Sequence, residues 1–226
     1  ESAHTTLQSG LDLSTELAQW VMREIFEGRA ADSDLKSFLL ELKEKGETSE
    51  EVGAFVQEMY RHSAPISITE RAVDTVGTGG DGAHTINIST TSAIIAAAAG
   101  SRVVKHGNRA ASSASGSSDV LSELGINLNL SNTEVADVLN ETGITFAYAA
   151  AFHPGFRHVA EARRELGVPT IFNVLGPLCN PARPEASAVG VAQLDRVPLI
   201  TGVFRTRSSK FGRFPRGRTL LQRTDT

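Results

Sequence analysis

The 226-residue sequence has one cysteine, one tryptophan and two methionines, and only 6% of its residues are aromatic. Cys179 alone excludes an internal disulfide framework and a cysteine-based metal site, and it fits a reducing cytoplasm. Positive charge is not in excess: 22 Lys plus Arg stand against 26 Asp plus Glu, a net charge of −4. Such a chain has no global field to hold a nucleic acid or an anionic membrane, so any phosphate binding has to be local. Long apolar runs are missing too. The small-residue stretch 93–99 is far too short to span a bilayer, and the N-terminal residues lack a basic segment followed by an apolar one. The expectation is a soluble cytoplasmic protein with no nucleic-acid or membrane partner. What is present is 40% apolar side chains, enough for one substantial core or for a large and a small one.

Leu13, Leu17, Val21 and Ile25 recur at helical spacing, with Gly28 placed to end that helix. Leu35, Phe38, Leu39 and Leu42 predict a second helix, opened by Ser33 as cap and closed near Gly46. Thr48 and Glu51 form a capping-box pattern ahead of Val52, Phe55, Val56 and Met59. From Ala72 the pattern changes to short apolar segments alternating with helices, the sign of a sheet with crossover connections. Residues 73–76, 102–105, 144–148 and 188–191 are strand candidates, and 90–99, 119–124, 133–141 and 156–166 are helix candidates. The expected fold is α/β: a small N-terminal helical domain (1–68), a larger α/β domain with a mainly parallel central sheet (69–206), and an atypical Arg-rich tail (207–226). From Arg205 onward the sequence shows neither helical nor strand period.

Gly77, Gly79 and Gly80 directly follow a predicted strand, in Asp74-Thr75-Val76-Gly77-Thr78-Gly79-Gly80-Asp81. Glycines there let the backbone approach a ligand closely and turn successive N–H groups onto a phosphate. Thr85, Asn87, Ile88, Ser89 and Thr90 stand behind the turn at the start of an Ala-rich helix, whose N-terminus also favours an anion. An ordinary capped turn is the bland alternative. Lys105, His106, Gly107, Asn108 and Arg109 follow the next strand and bring two cations to the carboxyl edge, where open α/β sheets bind ligands. The five serines Ser112, Ser113, Ser115, Ser117 and Ser118 read either as a flexible linker or as a loop that folds over a polyanion. His153-Pro154 and Arg163-Arg164 bracket a helix, and an arginine directed inward there would pair with a carboxylate. Asn173, Pro177, Asn180 and Pro181 make a rigid, turn-rich segment that reads as structural, and Cys179 within it reads as packing.

Taken in order, these segments resemble anthranilate phosphoribosyltransferase. Gly77 to Asp81 with Thr85, Asn87, Ser89 and Thr90 look like that family's pyrophosphate motif, residues 105–113 like its second substrate motif, and His153-Pro154 with residues 170–181 like its third and fourth. The resemblance implies a homodimer through the helical domain, Mg²⁺ as cofactor, and transfer of a phosphoribosyl group from 5-phosphoribosyl-1-pyrophosphate to the anthranilate amine in tryptophan biosynthesis. It implies that Gly77, Gly80, Asp81, Thr85, Asn87, Ile88, Ser89, Thr90, Lys105, His106, Gly107, Asn108, Arg109, Ser112, Ser113 and Ser117 hold the donor. Lys105 and Asn108 would carry the catalytic roles, and Ser89 would meet the metal. Gly77, His106, Asn108, His153 and Arg163 would hold anthranilate, Arg163 rather than Arg164 pairing its carboxylate.

The resemblance also implies further strands and helices and an adjacent Asp–Glu metal pair, which nothing after Arg207 matches; a frameshift, truncation or junction is the expected origin of the tail. Two other functional readings compete. One is a pyrimidine nucleoside phosphorylase of related fold, disfavoured by the Gly-Thr-Gly-Gly-Asp turn. The other is a non-catalytic nucleic-acid-binding relative, disfavoured by the acidic balance. An inactive fragment is the third alternative.

Overall fold

The computed structural model describes residues 2–79, 86–109 and 116–210, with side chains as far as residue 205. Four helices open the chain: α1 (Ser2–Gln8), α2 (Thr15–Phe26), α3 (Asp32–Lys45) and α4 (Ser49–Arg61). Their apolar stripes face one another, burying Val21, Met22, Ile25, Leu39, Leu42, Val52, Phe55 and Met59. Caps fix where they begin. Ser14 accepts from the Leu17 amide at 3.2 Å to start α2, and Thr48 with Glu51 closes the capping box of α4. Glu51 does more than cap. It is buried, takes the Leu13 amide on one oxygen at 2.8 Å and the Lys45 ammonium on the other at 2.7 Å, so it ties three helical segments together. Ser33 is not the cap of α3: the helix starts at Asp32 after Ala31, which offers no side-chain bond. Asp32 and Asp34 instead place negative charge on the positive end of the helix dipole.

The α/β part runs β1 (Val73–Gly77), α5 (Ile88–Ala98), β2 (Val103–Gly107), α6 (Ser117–Glu123), α7 (Asn132–Thr142), β3 (Ile144–Tyr148), α8 (Ala149–Phe152), α9 (Ala160–Leu166), α10 (Ile171–Leu175), β4 (Ala186–Gly190) and α11 (Val197–Lys210). The four strands pair in the order β3-β2-β1-β4, and every pairing is parallel. Gly77 lies opposite Gly190, and Gly107 opposite Tyr148. All four strands therefore end at the same edge, and the loops that leave it can converge on one ligand.

Helix α11 corrects one expectation. Arg205 to Lys210 continue a helix rather than an aperiodic segment, because Leu199, Ile200 and Val203 bury one face in the core that α4 also lines, and the turn propagates from there. The last sixteen residues of the tail, 211–226, lie outside the described part of the chain.

The main core is shared. One continuous cluster contains Met22, Phe26 and Phe55 of the helical part together with Val159, Phe172, Leu175, Val189 and Ile200 of the α/β part. Gly155 allows one close approach between them. A Cβ there would lie 2.8 Å from Phe26 Cδ1 and 2.9 Å from Phe26 Cβ, nearer than real side chains come. Gly155→Ala is expected to cost about 2 kcal/mol through overpacking, read as a lower midpoint in urea with an unchanged slope.

Candidate active site at the carboxyl edge of the sheet

Two buried charges sit inside the sheet where it meets the glycine turn. Lys105 of β2 has its Nζ 2.7 Å from the Thr75 carbonyl and 3.2 Å from Ser89 Oγ, so two of its three N–H groups are used. Burial lowers the Lys105 pKa, and the charge of Asp74 works in the other direction. Asp74 of β1 is fully enclosed, which raises its pKa, while Lys105 pulls it back down. Its Oδ1 accepts from the His106 amide at 3.1 Å and its Oδ2 from Asn180 Nδ2 at 3.0 Å.

Behind the turn, Asn87 caps α5, its Oδ1 accepting from the Thr90 amide at 3.3 Å. Thr75 Oγ1 donates to the Ser89 carbonyl at 2.8 Å, locking the first turn of the helix onto β1. Thr90 Oγ1 is buried without a hydrogen-bond partner among the described residues. Gly79 takes the left-handed conformation, φ +67°, as a backbone folding back toward a ligand needs. Beyond β2, the Asn108 carbonyl accepts from Ser118 N at 3.2 Å and from Ser117 Oγ at 3.4 Å. That bond lays the start of α6 against Gly107, where a Cβ would come within 3.2 Å of Ser117 Cβ. Arg109 is exposed and pairs with Asp119 at 3.2 Å.

A row of rings leads away from Lys105. His106 lies 5.2 Å from His153, His153 lies 5.7 Å from Phe156, and Phe156 lies 5.8 Å from Phe172, all edge-to-face. Arg163 closes the row, its guanidinium 5.8 Å over the Phe172 ring. It is half-buried, which lowers its pKa, and it has no carboxylate partner among the described residues. Arg164 points outward to Glu161. Both histidines are buried. Burial lowers the His106 pKa far below the usual range, and lowers that of His153 to about 4.

The His153 shift has a measurable sign. A histidine whose folded pKa is depressed stabilises the fold fully above its unfolded value of about 6.5 and loses that contribution as pH falls toward 4. About 3 kcal/mol is at stake over that window. Urea midpoints between pH 7 and pH 4 should fall, and less steeply in His153→Gln.

Thus Gly77, Asn87, Ile88, Ser89, Thr90, Lys105, His106, Gly107, Asn108 and Ser117 gather at the carboxyl edge, and His153 and Arg163 join them through the ring contacts. Gly80, Asp81, Thr85, Ser112 and Ser113 lie outside the described residues. In the sequence Asp74 stands only at the head of the glycine-turn motif, and Asn180 only in a segment that reads as structural. A carboxylate in the middle of an otherwise apolar strand was the available signal for the first, because such a group is buried only with partners.

The described residues do not make a magnesium site by themselves. Among them no three His, Cys, Asp or Glu side chains cluster. Ser89 Oγ, the one expected ligand among them, already accepts from an ammonium, whereas Mg²⁺ demands a near-octahedral shell of oxygens.

Two family profiles match this architecture: "Glycosyl transferase family, helical bundle domain" over residues 2–63, and "Glycosyl transferase family, a/b domain" over residues 69–214. The chain belongs to the glycosyl transferase family. Among glycosyl transferase relatives, the anthranilate phosphoribosyltransferase of Leifsonia xyli is 60% identical over 198 residues, which are 88% of this chain and 57% of that protein. The crystal structure of anthranilate phosphoribosyltransferase from Thermus thermophilus superposes with a TM-score of 0.86 at 39% identity, over 91% of this chain and 63% of that one. The Saccharomyces cerevisiae enzyme in complex with PRPP and Mg superposes with a TM-score of 0.83 at 29% identity, over 89% of this chain and 61% of that one. The chain thus spans about three fifths of the length of these glycosyl transferase relatives. Among its described residues no helix is long and apolar enough to cross a membrane.

Proposed function

We propose that this chain binds 5-phosphoribosyl-1-pyrophosphate (PRPP) and anthranilate and carries the transfer between them in tryptophan biosynthesis. The observation that supports this best is the row of contacts from His106 through His153, Phe156 and Phe172 to the half-buried Arg163, which starts at the residue next to Lys105, whose buried ammonium meets Ser89 at the start of α5. One end suits a polyphosphate and the other a carboxylate, with flat apolar rings between them, as an aromatic amino acid requires. The relatives' names and the PRPP in the yeast complex support the same pair of substrates.

In this reading the glycine turn, the start of α5, Lys105, Asn108 and Ser117 hold the donor, and Gly77, His106, Asn108, His153 and Arg163 hold the acceptor. The bond from ribose C1 to pyrophosphate oxygen breaks, pyrophosphate leaving with the electron pair. The amine lone pair then forms the C1–N bond, and the amine gives up a proton. Charge grows on the leaving pyrophosphate, where Lys105 and the turn amides stabilise it without reorganising. Magnesium belongs to the proposal as a ligand of the substrate's pyrophosphate, which the metal in the yeast complex supports.

Residues 1–68 are read as the helical domain that forms a homodimer, and 69–206 as the PRPP-binding domain. Trp20 of α2 and Leu40 of α3, both nearly half exposed, support an interface on that part. A cytoplasmic location is supported by the lone cysteine, whose buried Sγ lies 3.2 Å from Met59 Sδ. The test is to mix the protein with PRPP, Mg²⁺ and anthranilate and follow anthranilate fluorescence. A fall dependent on PRPP is expected, and a well-folded sample that leaves the fluorescence unchanged would overturn the reading.

A further inference from the structure

Residues 176–181 hold both site histidines by their backbone. His106 Nδ1 lies 3.1 Å from the Gly176 carbonyl, and His153 Nε2 lies 2.8 Å from the Cys179 carbonyl. A carbonyl only accepts, so each of these nitrogens carries the hydrogen. The two rings are thereby held in opposite tautomers, with Nε2 of His106 and Nδ1 of His153 left as lone-pair nitrogens. Nε2 of His106 is buried and has no hydrogen-bond partner among the described residues. Leaving an acceptor so costs free energy that only an incoming donor recovers.

The turn is in turn anchored from below. Asn180 Nδ2 donates to Asp74 Oδ2 at 3.0 Å and to the Val104 carbonyl at 2.8 Å, and its Oδ1 accepts from the Ala182 amide at 3.0 Å. Asp74 meanwhile holds the His106 amide. One buried carboxylate thus fixes both the strand that carries His106 and the turn whose carbonyls orient the two rings.

We propose that Asp74 and Asn180 are positioning residues that clamp the turn 176–181, so that His106 and His153 are locked as hydrogen-bond acceptors for the N–H groups of the acceptor substrate. The clamp gives the site a preference for an aromatic amine over an aromatic acid lacking one, because a substituent with no N–H leaves Nε2 of His106 unsatisfied. The substrate side of this inference rests on the proposed function; the tautomers and the clamp do not.

The experiment is long-range ¹H–¹⁵N correlation of the histidine rings in the full chain at neutral pH, combined with titration of anthranilate and of benzoate. Expected are an Nδ1–H ring for His106 and an Nε2–H ring for His153, with anthranilate bound about tenfold more tightly than benzoate, the worth of one satisfied acceptor. Asn180→Ala should turn both rings into tautomer mixtures and erase that preference while leaving PRPP affinity nearly unchanged. If Asn180→Ala fails to fold, Asp74→Asn, nearly isosteric but with one acceptor oxygen for two donors, should show the same tautomer changes to a smaller degree. An Nε2–H ring for His106 or an Nδ1–H ring for His153 in the unsubstituted chain, or tautomers untouched by a folded substitution, would overturn the clamp. Correct tautomers with no anthranilate binding would instead overturn the substrate reading and leave the clamp standing.

Discussion

Arg163→Ala is expected to weaken anthranilate binding by roughly a hundredfold while changing PRPP affinity little. The guanidinium is half-buried over Phe172, with only a 3.5 Å contact to Asn173 Oδ1 and no carboxylate partner among the described residues. A desolvated arginine holding a ligand carboxylate is worth about 3 kcal/mol on truncation, since the ligand's charge is then buried alone. Arg164 serves as the internal control: it faces outward against Glu161, and exposed pairs of that kind contribute little, so Arg164→Ala should leave both affinities almost intact. Anthranilate titration by fluorescence, with and without PRPP, reads the effect, and equal losses of both ligands from Arg163→Ala would remove its role.

Lys105→Met should abolish PRPP binding and lower stability by about 3 kcal/mol, because it strips a buried carboxylate of its countercharge. Asp74 stays enclosed, and without Lys105 its pKa rises further, since that attraction is what now pulls it down. A carboxyl whose folded pKa is raised stabilises fully below its unfolded value, near 4, and loses the contribution as pH climbs through the folded one. The variant should therefore be closer to the unsubstituted protein at pH 5 than at pH 8. Urea unfolding at the two pH values checks this. A pH-independent deficit would mean that Asp74 does not depend on Lys105.

Much of this arrangement was legible in the sequence. Strands β1, β2 and β3 were marked by short apolar runs, and the Thr48–Glu51 capping box marked the start of α4, because these signals are local. The glycine turn and the residues behind it stood out for the same reason. Three things were not legible. The strand order β3-β2-β1-β4 depends on crossover packing rather than on any one segment. Helix α11 has a weak pattern of its own and is held by Leu199, Ile200 and Val203 against a core set more than a hundred residues earlier. Asp74 and Asn180, 106 positions apart, reveal their purpose only when the sheet brings them together. The choice of Arg163 over Arg164 as the inward arginine was a matter of one residue in register, and the helix geometry of α9 with Phe172 beneath it is what turns the first inward and the second out.

The Phe26 ring touches both Phe156 and Phe172, the rings that border the site. Because these rings belong to the one core that the helical part and the sheet share, the molecule has no seam along which to loosen the site separately. A substitution deep in α2 would then act at a distance, softening the floor under Arg163 before any global melting is seen. Evolutionary adjustment of substrate fit and of thermal tolerance would draw on the same handful of aromatic positions, so neither could drift far without the other following.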